Sequence, residues 1–258
     1  MEPDMTFDTG IKNLPFPMRV VSREHPEGQQ TVAEISVSAR VSRKQEGDWI
    51  NPIIRILHAH RDRIGASTLR ANIMDYLMQM NAEMVRVDFK YPFFYEKKTP
   101  VSNEKCLVRY PCTYSAKVPS VTQAPWMTSS VEILILTSFP TPACPPPVQT
   151  SRLIIETESK KDIFPEDLVD MADRHALSPV YSFLTRADQD YLTRLFKTSR
   201  KSVEETLCGI HENLCGNHDI AWHSIRCANR ETLLTYETEM SADRKMLSPY
   251  AMNEMFEV

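Results

Sequence analysis

The sequence predicts an α+β protein with antiparallel sheets. Runs that alternate apolar and polar residues recur along the chain, and runs with helical spacing lie between them. The order is strands, paired helices, strands, and it occurs twice. Thr31 to Val41 alternates with the period of a half-buried strand. Asn51-Pro52 then opens a helix, with proline tolerated in the first turn and Ile53, Ile54 and Leu57 on one face. A second helix begins near Ser67, because Leu69, Ile73, Leu77 and Met80 keep helical spacing. Strands follow at Val85 to Tyr95, Lys105 to Val118 and Met127 to Ser138. In the first of these Val85, Val87 and Phe89 share one side, and Arg86, Asp88 and Lys90 share the other. The second half reads as a strand over Ser151 to Glu158 and helices near Glu166 to Ala176 and Ser199 to Leu214. Strands at Ile220 to Ala228 and Glu231 to Met240 complete it.

Composition narrows the function. The 258 residues are 42% hydrophobic and 25% charged with a net charge of −4, so a nucleic-acid partner is not expected. No apolar run reaches membrane-spanning length. Met1-Glu2-Pro3-Asp4-Met5 lacks the regions of a signal peptide, so the expectation is a cytoplasmic protein whose six cysteines are reduced thiols. Only 6 glycines occur, and neither G-x-G-x-x-G nor a P-loop pattern is present.

Two cysteine–histidine pairs, Cys208/His211 and Cys215/His218, with His223 and Cys227 beyond, have spacing suited to tetrahedral zinc. The segment reads as helix, however, with Cys208, His211 and Cys215 on a stripe with Val203 and Leu207. Donors on one helix face cannot close around an ion, so the expected role is core, with Gly216 as the helix stop.

The most informative stretch is Leu184-Thr185-Arg186-Ala187-Asp188-Gln189-Asp190-Tyr191-Leu192-Thr193-Arg194, followed by Lys201-Ser202-Val203-Glu204-Glu205. It resembles L-K-R-P-D-E-x-x-V-T-E and K-F-V-E-D of the type IB GTP cyclohydrolases. The resemblance runs from about Gly10 to Ala242. Gly10-Ile11-Lys12-Asn13 resembles G-V-K-N before a strand. Gln45-Glu46-Gly47 with Trp49-Ile50-Asn51-Pro52 sits where the family has Q-K-G-T-H-M-S-R. Pro92-Phe93-Phe94 with Lys97-Lys98-Thr99-Pro100-Val101-Ser102 resembles P-Y-F…K-x-A-P-V-S. The resemblance implies tandem tunnelling-fold halves, residues 1–120 and 121–245, with residues 246–258 as a tail. It further implies a barrel-forming homo-oligomer with sites at subunit boundaries.

The family's chemistry, by the same resemblance, uses a metal held by Cys, His and Glu to activate water. Here T-S-L-C-P-C-S corresponds to Thr137-Ser138-Phe139-Pro140-Thr141-Pro142-Ala143, with prolines in place of both cysteines. The histidine of A-H-N-Q-R-S falls on Pro147 and the ligand glutamate on Pro179. E-S-I-H-N-H falls on Glu231-Thr232-Leu233-Leu234-Thr235-Tyr236, which keeps only the glutamate. Proline and leucine have no side-chain lone pair, so no metal or cofactor is expected.

By the resemblance, Arg194 stands where the family places a glutamate that grips the purine. A guanine edge presents N–H donors, which a donor-only guanidinium cannot accept, whereas a carboxylate or phosphate suits it. The expectation is therefore a repurposed, metal-independent enzyme acting on a small anionic or heterocyclic metabolite. Arg194, Arg186, Asp188 and Trp49 are the candidate binding residues, and Glu231, His175 and Cys144 the candidate catalytic ones. Asp173 joins His175 as a possible acid–base partner; the bland reading of both is a polar helix end. A silent binding or scaffold subunit and a true zinc cyclohydrolase with a rerouted site through Cys144, His175 and Glu231 are the alternatives.

Overall fold

The computed structural model describes residues 6–42, 48–62, 64–230 and 235–244. Among them are nine strands and five helices. The first set comprises β1 (Phe7–Val20), β2 (Gln29–Val41), α1 (Ile50–His60), α2 (Ala66–Gln79), β3 (Met84–Lys98) and β4 (Lys105–Val118). The second comprises β5 (Trp126–Ser138), β6 (Val148–Ser159), α3 (Pro165–His175), β7 (Ser178–Pro179), α4 (Arg186–Thr198), α5 (Val203–Gly216), β8 (Ile220–Arg230) and β9 (Glu237–Asp243). The expected tail from 246 onward, the Gln45-Glu46-Gly47 segment and Glu231 to Leu234 lie outside the described residues.

The strands form one antiparallel sheet in the order β1-β2-β3-β4-β5-β6-β8-β9, with β7 paired to β5 off this path. The alternation read from β3 holds: Val85, Val87 and Phe89 are buried. On the opposite face Arg86 donates to the Asp88 carboxylate at 2.9 Å, and the Ser115 hydroxyl donates to it at 2.5 Å. Leu69, Ile73, Leu77 and Met80 of the α2 stripe are at most 3% exposed. Burying each such side chain contributes about 1.5–3 kcal/mol, which is what holds the helices on the sheet.

The edge strand β1 contains Pro15 and Pro17, which an edge strand tolerates because one side of it has no ladder to supply. Its Gly10 lies so close to β2 that a Cβ there would sit 2.0 Å from the Val37 carbonyl oxygen. Between Ile11 and Leu14 the register shifts, and Asn13 adopts φ 53° with its amide donating to Ser36 Oγ at 3.1 Å.

The motif stretch from 184 to 194 is a helix of its own. Thr185 caps α4, accepting from the Asp188 amide while the Asp188 carboxylate accepts from the Thr185 amide. Ser202 and Glu205 form the same reciprocal box on α5. The expected helix from Ser199 therefore starts at Val203, and the residues before it cross from one capped helix to the next. The core stripe of α5 is also corrected. Val203, Leu207, Ile210 and Leu214 are buried, whereas Cys208 and Cys215 are exposed. One residue is a rotation of about 100° around a helix, which carries the cysteines off the core face.

Candidate functional site

The strands bring four separated segments to one place. Ser138 at the end of β5 pairs with Val148 at the start of β6, Leu136 with Ser178 and Ile135 with Pro179 of β7, and Thr150 with Arg230 at the end of β8. These are the segments in which the resemblance places the metal donors: 137–143, Pro147, Pro179 and the residues after Arg230. The Pro-rich loop between β5 and β6 is tied down at both ends. The Phe139 amide donates to the Pro147 carbonyl at 2.8 Å, and Arg200 Nη2 donates to the Ala143 carbonyl at 2.9 Å.

Among the described residues the buried side chains at this place are neutral, while Arg152, Arg230 and Glu237 lie exposed beside them. Thr137 Oγ1 and Ser151 Oγ are 2.7 Å apart, Gln149 Nε2 donates to Thr137 Oγ1 at 3.1 Å, and Ser151 Oγ donates to Asn229 Oδ1 at 2.8 Å. Asn229 also accepts from Cys227 Sγ at 3.4 Å and donates to the Thr238 carbonyl at 3.3 Å. All but the exposed Thr238 are buried. Burial pushes the Cys227 thiol up to about 11, so it stays protonated at neutral pH. Zinc is held by thiolate, imidazole or carboxylate. The hydroxyls and amides described here do not supply such a set, and Cys227 is the one zinc-type donor among these described buried residues.

The candidate residues are scattered. Arg186 and Arg194 are exposed on α4, and Cys144 is exposed in the β5–β6 loop. Trp49 precedes α1 and packs, half-buried, against the hydrophobic core. Glu231 is outside the described residues. His175 ends α3, where its Nε2 lies 3.0 Å from Asn213 Nδ2 and its ring fills the space left by Gly209. Burial, with help from Lys201 and Arg174, holds its pKa below the usual histidine value.

Asp188 is buried, and its carboxylate is occupied inside the protein. It accepts from the Val101 and Ser102 amides at 2.9 Å each, from Ser102 Oγ at 2.7 Å, and from Thr185 at 3.0 Å (amide) and 2.6 Å (hydroxyl). One carboxylate thus ties the K-x-A-P-V-S-like turn to the start of α4. The burial of Asp188 would raise its pKa, but the Thr185 and Ser102 hydrogen bonds outweigh that and hold the carboxyl well below the ordinary range.

Asp173 and His175 point to different neighbours, so they do not form an acid–base pair. Asp173 is ion-paired with Lys97, whose ammonium also donates to Tyr110 Oη at 2.9 Å. Asp173 Oδ1 is buried without a hydrogen-bond partner, and burial raises its pKa against the pull of Lys97. Sequence reasoning did not single out Lys97; its place in the K-x-A-P-V-S-like motif was the available signal. Among the described residues one group has three potential metal donors within reach of each other: His211, Cys215 and His223.

The fold is shared with urate oxidases. The urate oxidase from Bacillus sp. TB-90 superposes with a TM-score of 0.56 at 10% identity, covering 94% of this chain and 100% of the other. A uricase from Bacillus fastidious gives 0.54 at 12% identity, covering 93% and 94%. Sequence comparison is more specific. The family model described as type I GTP cyclohydrolase FolE2 matches residues 8–238. The GTP cyclohydrolase FolE2 of Pelobacter propionicus is 24% identical over 234 residues, 87% of each chain, and that of Pseudothermotoga lettingae is 26% identical over 231 residues, again 87% of each. This chain belongs to the type I GTP cyclohydrolase FolE2 family.

Proposed function

We propose that this family member acts on a small anionic heterocycle, of the purine or pterin kind, without zinc at the convergent strand ends. The observation that carries this reading is the Thr137–Gln149–Ser151–Asn229 network. It places hydrogen-bonded neutral groups where the resemblance calls for metal donors. Hydroxyls and amides can orient a heterocycle by hydrogen bonding, whereas they cannot lower the pKa of a metal-bound water. Arg194 and Arg186 supply positive charge for a ligand phosphate or carboxylate, and Glu231 is the candidate general base. The chain is read as two tandem halves, 1–120 and 121–245, and as a homo-oligomer in which a second copy covers the sheet edges at β1 and β9. No described helix is long and apolar enough to cross a membrane.

The test is turnover of GTP and of a panel of purine and pterin phosphates, with added zinc and with chelator. The expected result is no GTP consumption in either condition, and chelator-resistant binding or turnover of another anion that falls in Arg194→Ala and Glu231→Gln. GTP consumption that zinc supports and chelator abolishes would overturn the reading.

A further inference from the structure

The helix α5 and the strand β8 bring together three side chains that the site above does not use. His211 and Cys215 are one helical turn apart in the last part of α5, and His223 faces them from β8. Cys215 Sγ lies 3.5 Å from His211 Nε2, and His211 Nδ1 lies 2.9 Å from His223 Nε2. The two rings meet edge to face with centroids 4.9 Å apart. One donor atom from each of the three residues can be chosen so that all lie within 4.8 Å of one another. We infer that His211, Cys215 and His223 form a binding site for a borderline-soft divalent ion of the zinc class.

The donor set is the one such ions select: two imidazoles and a thiolate, with a fourth position open to water. A tetrahedral ion needs nitrogen–nitrogen separations of about 3.3 Å and nitrogen–sulfur separations of about 3.6 Å, given its usual bond lengths. Between His211 Nδ1 and His223 Nε2 a single shared proton occupies the position an ion would take. Both nitrogens of the His211 ring cannot serve one ion, so loading turns Cys215 about its χ1 towards the Nδ1 side. Cys215 is exposed near the helix end, and turning it exchanges its contact with His211 Nε2 for the ion.

One further feature favours a cation here. The last turn of α5 carries the negative end of the helix dipole, and no Lys or Arg stands in it. His223 is fully buried, and binding through Nε2 leaves its Nδ1–H without an acceptor, so this ligand lacks the outer-shell partner that ligating histidines usually have. Asp243 and Arg244 flank it with opposite charges. The site is separate from the strand ends, since His223 and Asn229 are six residues apart along β8, about 20 Å at the rise of a strand.

The experiment is titration of chelator-treated full-length protein with Co2+, followed by the thiolate-to-cobalt charge-transfer absorption and then by displacement with Zn2+. The wild type is expected to take up one equivalent with a thiolate band and tetrahedral d–d bands. Cys215→Ser should lose the thiolate band. His211→Ala should weaken uptake by at least about 100-fold, more than losing an outer-shell partner costs. Both positions are off the buried core, and thermal melts of the two variants confirm that they fold. Cys208→Ser should leave cobalt uptake as in the wild type, since Cys208 does not belong to the triad. No uptake at one equivalent would overturn the inference. So would an alkylation rate of Cys215 that Zn2+ leaves unchanged, which would mark a hydrogen-bonded thiol–imidazole pair only. Uptake that survives both Cys215→Ser and His211→Ala would also overturn it, placing the ion elsewhere and reopening the zinc question at the strand ends.

Discussion

Gly209 of α5 and His175 at the end of α3 share one space: a Cβ on Gly209 would lie 2.2 Å from His175 Nδ1. In an ordinary helix interior Gly→Ala stabilises by up to about 1 kcal/mol. Here Gly209→Ala is expected to destabilise by about 1–3 kcal/mol, because the ring must leave its place between the two helices. In a His175→Ala background the same substitution should become stabilising. Urea melts of the four proteins in this cycle check the change of sign.

The Asp188 carboxylate holds two chain segments together, so its loss should exceed that of a simple cap. Thr185→Ala is expected to cost about 1 kcal/mol. Asp188→Ala should cost more, because the Val101, Ser102 and Thr185 amides lose their acceptor together. The pH dependence has a definite sign. The folded pKa is below that of an ordinary aspartate, so the unfolded chain takes up the proton first. The stabilisation is present above about pH 4 and is lost as pH falls below it. Stability measured from pH 6 to pH 3 should drop more steeply in the wild type than in Asp188→Asn.

The buried Lys97–Asp173 pair should behave asymmetrically. Lys97→Met strands a buried carboxylate whose Oδ1 already has no partner, and is expected to cost about 3–5 kcal/mol. Adding Asp173→Leu should recover part of that loss. Equal destabilisation in the single and double variants would show that the pair is not coupled.

Ser151→Ala removes the hydroxyl that links Thr137 to Asn229 and should cost about 1–3 kcal/mol, since Asn229 Oδ1 keeps only the weak thiol donor. Cobalt uptake should be unaffected, which separates this network from the His211–Cys215–His223 cluster.

The interior strands and the first two helices are legible because their burial is periodic: every inward position of β3 from Val85 to Phe89 is apolar, and α2 repeats its stripe four times. The edge strand β1 is not, because Pro15, Pro17 and the register shift at Asn13 break the alternation. α4 is hidden for another reason. Only Asp188 and Leu192 are buried on it, so it has almost no apolar stripe; its signal is the capping box from Thr185 to Asp188. At the candidate site, the sequence supplies residue types but not their directions. The chain could not show that Asp188 turns inward to Ser102, that Asp173 meets Lys97, or that His223 crosses from β8 to complete a group begun on α5. Each of these contacts joins residues from different elements, where local spacing carries no information.

The sheet order has a consequence for how the chain can be made. Apart from β7, which steps aside to β5, each strand neighbours the next one in the sequence. During synthesis each emerging strand therefore finds its partner already released, and the sheet can grow at one edge from the N-terminus onward. The contacts that span long stretches come late: Arg23 waits for Asp167 and Asp170 of α3, and Ser102 waits for Asp188. A ribosome-bound chain ending before residue 160 would have β1 to β6 but not α3, which packs on β5, so that part of the apolar face of β5 would still be uncovered.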